Sequence, residues 1–213
     1  MKHKYVEKVR AYFSRPDKPA FSIHELRALG IPYSYAKLLL HHLTKKGEII
    51  RIRRGWYTFH PDPLVFIYTL PPGTAYYGLG FAAHIHGAWA QVPNPEILTY
   101  AAPRKIRTGT HQLLDANIIV RRISPKLFGG YTLIRHGNWL LPVSTPEKTL
   151  LDILYYKYPF TDEIIEELAE KIDTQEITRL LHEHPYPKRV KNTIKKLTAK
   201  QRQKAEHQYT ATK

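Results

Sequence analysis

The stretch Lys45–Phe59, KKGEIIRIRRGWYTF, limits the possible folds of this chain more than any other segment. Its first glycine ends a helical pattern, and two short apolar runs then flank an Arg-Arg-Gly corner. The glycine of that corner, Gly55, can adopt the positive φ that a tight hairpin turn needs. We therefore predict strands over Glu48–Ile52 and Trp56–Phe59, with arginines at the tip of the hairpin.

Three helices are predicted ahead of this hairpin. Residues 4–14 place apolar side chains at helical spacing, and the Ser-Ile-His-Glu sequence that begins at Ser22 is a capping box for a second helix. A third helix is predicted over Ser34–Lys46, with its core face formed by Ala36, Leu39, Leu40 and Leu43. Three helices followed by a two-stranded ribbon are the order of a winged helix, in which the third helix enters the major groove of DNA.

Positive charge is concentrated at the two ends of the chain. Residues 1–60 contain 13 Lys and Arg against 4 Asp and Glu, a net charge of +9. Residues 61–185 have a net charge of −2 and residues 186–213 a net charge of +8, which together give the +15 of the whole chain. Such a distribution favours polyanionic partners, and a solvated basic surface is the alternative.

The remaining composition is that of a folded protein of a reducing compartment. Hydrophobic residues make up 43% of the chain, and the chain has no cysteine for a disulfide, a thiolate metal site or a nucleophile. No apolar run approaches the length of a membrane span or a signal peptide, so we expect a cytoplasmic protein without membrane contact. The absence of cysteine and the single methionine fit a thermophilic source.

We predict an α+β fold in four parts. The winged helix-turn-helix covers residues 1–60, and four prolines indicate a linker over 61–74. A mixed α+β domain is predicted over 75–187, with a helix that starts cleanly at Thr145-Pro146 because threonine caps it and proline is its first residue. Residues 188–213 form a basic tail that begins as a helix.

Enzymatic and metal-binding patterns are weak in this sequence. His84 and His86 are two residues apart, so on a helix they point in different directions and cannot share a metal. Asp115 and Glu147 lack the lysine spacing of a nuclease, and Asp152 is predicted to cap or form an ion pair inside the domain. We therefore predict no catalytic residue, no metal and no cofactor. A DNA-processing enzyme that docks through its winged helix, and a protein-interaction module, remain as alternatives.

Three motifs resemble the AbiEi family of antitoxins and the transcriptional regulators related to it. They are RIRRGWYTF at Arg51–Phe59, GLGFAAHIHG at Gly78–Gly87 and VSTPEKTLLDIL at Val143–Leu154, and the resemblance extends over residues 5–160. It implies a winged helix that represses the promoter of its own operon. It also implies an α+β domain that counteracts a nucleotidyltransferase-like toxin in the type IV manner, without a stable complex. Many such relatives are stand-alone regulators.

Sequence-specific binding of double-stranded DNA, by a monomer or weak dimer, is thus the predicted function. The candidate DNA-binding residues lie on the third helix, the hairpin, a basic loop and the tail: Tyr33, Ser34, Tyr35, Lys37, His41, Lys45, Arg51, Arg53, Arg54, Gly55, Arg104, Lys105, Arg107, Lys188, Arg189, Lys191 and Lys195. Lysines and arginines would contact phosphates, and the first turn of the third helix would read bases.

Overall fold

The computed structural model describes residues 2–15, 18–102, 104–159 and 161–211, and these form the mixed α+β fold that the sequence predicts. The α-helices are α1 (Lys2–Phe13), α2 (Tyr33–Lys45), α3 (Leu79–Ile85), α4 (Pro146–Tyr156), α5 (Thr161–Ala169), α6 (Thr174–Glu183) and α7 (Lys188–Ala211). The strands are β1 (Phe21–Ser22), β2 (Ile50–Arg53), β3 (Trp56–Thr58), β4 (Ala75–Tyr77), β5 (Glu96–Thr99), β6 (Gly109–Leu113), β7 (Ala116–Arg122), β8 (Tyr131–His136) and β9 (Trp139–Ser144). Short 3-10 helices cover Ile23–Leu29, Pro63–Thr69 and Pro125–Leu127.

The chain divides into two compact units. The first unit comprises Met1–Ala75, Ala101–Val120 and Leu133–Leu141. The second unit comprises Tyr76–Tyr100, Arg121–Thr132 and Pro142–Lys213. Each unit combines segments that are distant in sequence, so the units do not coincide with the four parts predicted from the sequence. The predicted domain boundaries stay a prediction.

The first unit contains the elements of a winged helix. Strands β2 and β3 form the wing, and β1 adds to the free edge of β3 in the order β1-β3-β2. Gly55 turns the wing with φ +79°, as the sequence predicts, and the register shifts between Arg51 and Arg53 on β2. This bulge leaves Arg53 opposite Trp56, which matters for the direction of its side chain.

The three helical segments of the winged helix pack around stacked aromatic rings. The Phe13 and Phe21 rings are 4.3 Å apart, and Ala36, Leu39, Leu40 and Leu43 of α2 are buried as predicted. The predicted capping box is present, since the backbone N–H of Ser22 donates to Glu25 at 2.6 Å. The segment it opens is a 3-10 helix, and α2 begins at Tyr33 after Pro32, so Ser34 lies in its first turn and does not cap it.

The segment that its prolines mark as a linker, 61–74, is largely a buried element in the structure. Asp62 caps the 3-10 helix Pro63–Thr69 by accepting from the Leu64 backbone N–H at 2.7 Å. Four of its apolar side chains are buried: Leu64, Val65, Phe66 and Ile67. The prolines therefore start and stop a short helix, and the apolar run between them contributes to the core of the first unit.

A six-stranded sheet has the order β6-β7-β5-β4-β9-β8. Strands β6 and β7 form an antiparallel pair in continuous register, with Gly109 opposite Val120 at one end and Leu113 opposite Ala116 at the other. Strands β4 and β9 are parallel, with Tyr77 opposite Val143. The sequence pattern predicts strands over Glu96–Ala101, Ile118–Ile123, Tyr131–Arg135 and Trp139–Val143, which correspond to β5, β7, β8 and β9. It misses β4 and β6, which are short or polar.

The second unit has a helical core built on α4. Thr145 caps α4 and Pro146 is its first residue, as predicted. Helix α7 belongs to this core, because Val190 and Ile194 are 1% and 3% exposed and pack in the same cluster as α4 and α5. In the described part of the chain, no helix is long and apolar enough to cross a membrane.

The two resemblance motifs of the second unit meet at buried contacts. His86 of GLGFAAHIHG contacts the carbonyl of Ser144 in VSTPEKTLLDIL through Nε2 at 2.6 Å, so Nε2 must donate. A Cβ at Gly80 would lie 2.4 Å from the Tyr158 hydroxyl, which explains the small residue there. These motifs therefore encode close packing between α3 and α4.

Candidate nucleic-acid interface

The outward face of α2 is polar with one apolar residue at its centre. Ser34, Lys37, His41 and Lys45 are exposed, in agreement with the helical wheel of the sequence. Leu38 lies among them with 48% of its surface exposed. Leu38 shares the helical-wheel face of Ser34, His41 and Lys45 and is not among the DNA-binding residues predicted from the sequence. A bulky apolar group there can contact a thymine methyl in the major groove.

The first turn of α2 presents a small stacked cluster. The Tyr33 and His24 rings are 5.9 Å apart and nearly parallel, and the Lys37 ammonium lies 4.7 Å from the centre of the Tyr33 ring. Tyr35 differs from the predicted role, because it is half-buried with its ring 5.3 Å from the Tyr5 ring of α1. Its aromatic ring contributes to packing, so we retain Tyr33 and remove Tyr35 from the proposed interface.

The three wing arginines have different environments. Arg51 and Arg54 are exposed, and neither forms an ion pair with a residue that the structure describes. Arg53 is half-buried, and its guanidinium donates to the Thr69 carbonyl at 2.6 Å and to the Lys105 carbonyl at 3.0 Å. Burial lowers the pKa of Arg53. Since both terminal nitrogens are engaged inside the protein, Arg53 holds the wing and does not project from its tip as the sequence suggests.

The basic loop is a defined turn of the first unit. The Lys105 N–H donates to the Ala102 carbonyl at 2.8 Å, and the Ile106 side chain is buried. The Arg107 carbonyl receives a hydrogen bond of 2.9 Å from His111 Nε2. Arg104, Lys105 and Arg107 are all exposed around this anchored backbone.

The predicted tail residues separate into two groups. Lys188 and Lys195 are exposed and Lys191 is half-buried, so their ammonium groups can meet a polyanion. Arg189 instead donates to the Leu154 and Tyr155 carbonyls at 2.7 and 2.6 Å. It therefore lies at the C-terminal end of α4, where the helix dipole favours a cation.

The charge is carried mainly by the first unit. Its segments contain 17 Lys and Arg against 6 Asp and Glu, a net charge of +11 out of +15. Two of its carboxylates already pair with cations, Glu25 with Lys18 and Glu48 with Arg10, and the Asp62 carboxylate lies 2.6 Å from His136 Nε2. The exposed arginines and lysines of α2, the wing and the turn are thus a net positive surface.

The winged-helix geometry coincides with a family match. Residues 13–60 match a family model described as transcriptional regulator, AbiEi antitoxin. Residues 13–60 are thus similar to the AbiEi antitoxin family. The match covers the 3-10 helix, α2 and both wing strands, so it confirms the resemblance drawn from RIRRGWYTF. The AbiEi family model does not extend to the second and third motifs.

A solved structure shares the fold at low sequence identity. The crystal structure of the RV2827C protein from Mycobacterium tuberculosis superposes with a TM-score of 0.56 and 15% identity, covering 85% of this chain and 72% of that one. At this identity the likeness shows a common fold alone. The search of curated proteins gave no match. Residues 2–15, 18–102, 104–159 and 161–211 contain no group of three or more His, Cys, Asp or Glu able to hold a metal.

Proposed function

We propose that this protein is a sequence-specific, double-stranded DNA-binding regulator of the AbiEi antitoxin kind that represses its own promoter. The observation that supports it is the outward face of α2, which is exposed, mostly polar and basic, and lies in a segment that matches the model of a regulator family. In a helix-turn-helix protein that face lies in the major groove, and the N-terminal turn reads bases. Arg51 and Arg54 of the wing then contact phosphates.

Binding-site selection from random DNA duplexes tests this function. The full chain should enrich one sequence family, and Lys37→Ala should relax the preference because Lys37 lies near the N-terminal end of α2. Lys45→Ala at the other end of the helix is the matched control. It should weaken all sequences alike, as loss of a phosphate contact does. A selection that returns no enriched sequence with the unaltered protein contradicts the proposal.

The wing gives a second, independent readout. Changing Arg51 and Arg54 to alanine should reduce the slope of log affinity against log salt by about two units, roughly one per lost phosphate contact. Melting temperature should stay unchanged, because both side chains are exposed and unpaired in the described structure. An unchanged slope would remove the wing from the interface. The DNA should be recovered intact after binding; conversion of the duplex to a product would instead support the DNA-processing alternative.

Antitoxicity is the second half of the proposal. We propose that the protein counteracts a nucleotidyltransferase-like toxin without forming a stable complex with it. The AbiEi match over residues 13–60 and the two further motifs support this. Co-expression with such a toxin should restore growth, while the two proteins fail to co-purify. Growth rescue together with a stable complex would contradict the type IV mode, and absence of rescue by any such toxin would contradict antitoxicity.

A further inference from the structure

We propose that the turn formed by residues 104–107 is a second DNA-contacting element of the first unit, held in place beside the wing by Arg53. Its partner is the phosphate backbone of the same duplex that the winged helix binds, so the inference rests on the proposed function. The turn is far from the winged helix in sequence, and only the folded chain brings its backbone within one arginine side chain of β2.

The position of the turn is fixed by three contacts. Arg53 joins the Lys105 carbonyl to the Thr69 carbonyl, so one guanidinium ties the wing to both segments. The Ile106 side chain is 4% exposed, so it anchors the turn in the protein interior. His111 donates to the Arg107 carbonyl and packs its ring 5.2 Å from the ring of buried Phe66. Residues 104–107 are thus held by contacts within the first unit that need no ligand.

What the turn presents is positive charge without a protein partner. Arg104, Lys105 and Arg107 are exposed, and their side chains form no ion pair with the residues that the structure describes. Arg53 holds this segment through the Lys105 backbone carbonyl, so the contact does not engage the side chains of Arg104, Lys105 or Arg107. An ordered backbone loses little conformational freedom on binding, so cations placed this way gain more from a polyanion than cations on a free loop.

Double-stranded DNA fits this arrangement better than a compact anion does. Duplex DNA carries one negative charge per ~1.7 Å of axis, and charges interact over a screening length of about 8–10 Å at physiological salt. A duplex held by the exposed arginines of the wing therefore continues within range of cations linked to β2 through one side chain. Each phosphate neutralised by the turn should add to the salt dependence of binding.

The experiment measures affinity for two duplexes, the selected sequence and a random one, over a series of KCl concentrations. The full-length turn variant carries Arg104→Gln, Lys105→Gln and Arg107→Gln. Its salt slope should fall by about two to three units on both duplexes. The matched control, Lys4→Gln, Lys8→Gln and Lys126→Gln, removes the same charge from exposed positions with no proposed DNA contact. Its slope should stay unchanged.

Arg53→Gln tests the positioning role separately. Glutamine cannot span two carbonyls with a rigid fork, so the turn should lose its place and the salt slope should fall. In the background of the turn variant the same substitution should have no further effect on the slope. A merely structural arginine would lower the melting temperature in both backgrounds and leave the slope unaltered.

The outcomes separate this inference from the proposed function. If the unaltered protein binds DNA but the turn variant matches the control variant, the turn makes no contact and the inference is overturned alone. Additive slope losses for Arg53→Gln and the turn variant would overturn the positioning role. If the unaltered protein binds neither duplex, the proposed function itself fails.

Discussion

A buried ion pair inside the VSTPEKTLLDIL motif provides the sharpest test of the second unit. Lys148 and Asp152 are both 0% exposed and form a salt bridge one turn apart on α4. The Tyr76 hydroxyl donates to Asp152 at 2.8 Å, and the Lys148 ammonium donates to the Tyr186 hydroxyl at 2.9 Å. The sequence predicts that Asp152 caps or forms an ion pair inside the domain, and the structure has the ion pair. The partners of Asp152 lie on β4, on α4 and in the segment before α7.

Replacing Asp152 with asparagine leaves a fully buried ammonium without its counter-charge. Breaking such a pair by removing one partner costs about 3–5 kcal/mol, because the remaining charge stays desolvated. For a chain of this size that corresponds to a fall in melting temperature of roughly 6–20 °C. The tyrosine contacts cannot replace the carboxylate, since a hydroxyl offers the ammonium only a neutral acceptor.

The pH dependence of the variant has a definite sign. Burial lowers the pKa of Lys148, and Asp152 opposes that shift. Without the carboxylate, the folded-state pKa falls further below the unfolded value. Between those two values the unfolded chain binds more protons, so the stability of the variant should increase as pH rises. The deficit of Asp152→Asn should therefore shrink between neutral pH and about pH 10.

Urea unfolding at several pH values measures this, with Lys148→Met combined with Asp152→Asn as the control. The double variant removes both charges, so it should cost less than the sum of the single variants and lose the pH dependence of Asp152→Asn. A cost below about 1 kcal/mol for Asp152→Asn, with no pH dependence, would mean that the pair behaves like an exposed one. That result would refute the reasoning.

Three further outcomes are expected. If Leu38 contacts a thymine methyl, replacing that thymine with deoxyuridine in the selected duplex should cost the unaltered protein about 0.8 kcal/mol of binding free energy. The affinity of Leu38→Ala should not change with this replacement. An equal loss of affinity for both proteins would exclude the contact. Burial raises the pKa of Glu96 above its ordinary value of 4.5, so the folded chain binds more protons there and stability should fall as pH rises through that window. Urea unfolding of Glu96→Gln should lack this component, and an identical pH profile would contradict it. Arg189→Ala should lower the free energy of unfolding by about 1 kcal/mol and leave DNA binding unchanged. The double variant Lys195→Gln with Lys196→Gln should weaken binding to random duplexes at low salt and leave the melting temperature unchanged. A double variant that melts earlier but binds random duplexes as before would mean that these lysines only stabilise the fold.

Local patterns of the sequence determined the elements of the winged helix and the cap of α4. The glycine of the wing, the capping box at Ser22 and the Thr145-Pro146 start depend on neighbours a few residues away, so their signals are complete in the sequence. The apolar stripe of α2 likewise shows its buried face directly. The same wheel predicts which side chains remain available for DNA.

Only the tertiary structure decided which cations are available. Arg53 and Arg189 are indistinguishable from their basic neighbours in the sequence, yet each donates to two backbone carbonyls. Those carbonyls belong to residues 16 to 52 positions away in the sequence. The segment 61–74 illustrates the same limit: proline composition suggests a linker, while burial of Phe66 and Ile67 depends on partners that no local pattern specifies. Charge is a property of a residue, but its use as an anchor or as a contact depends on long-range packing.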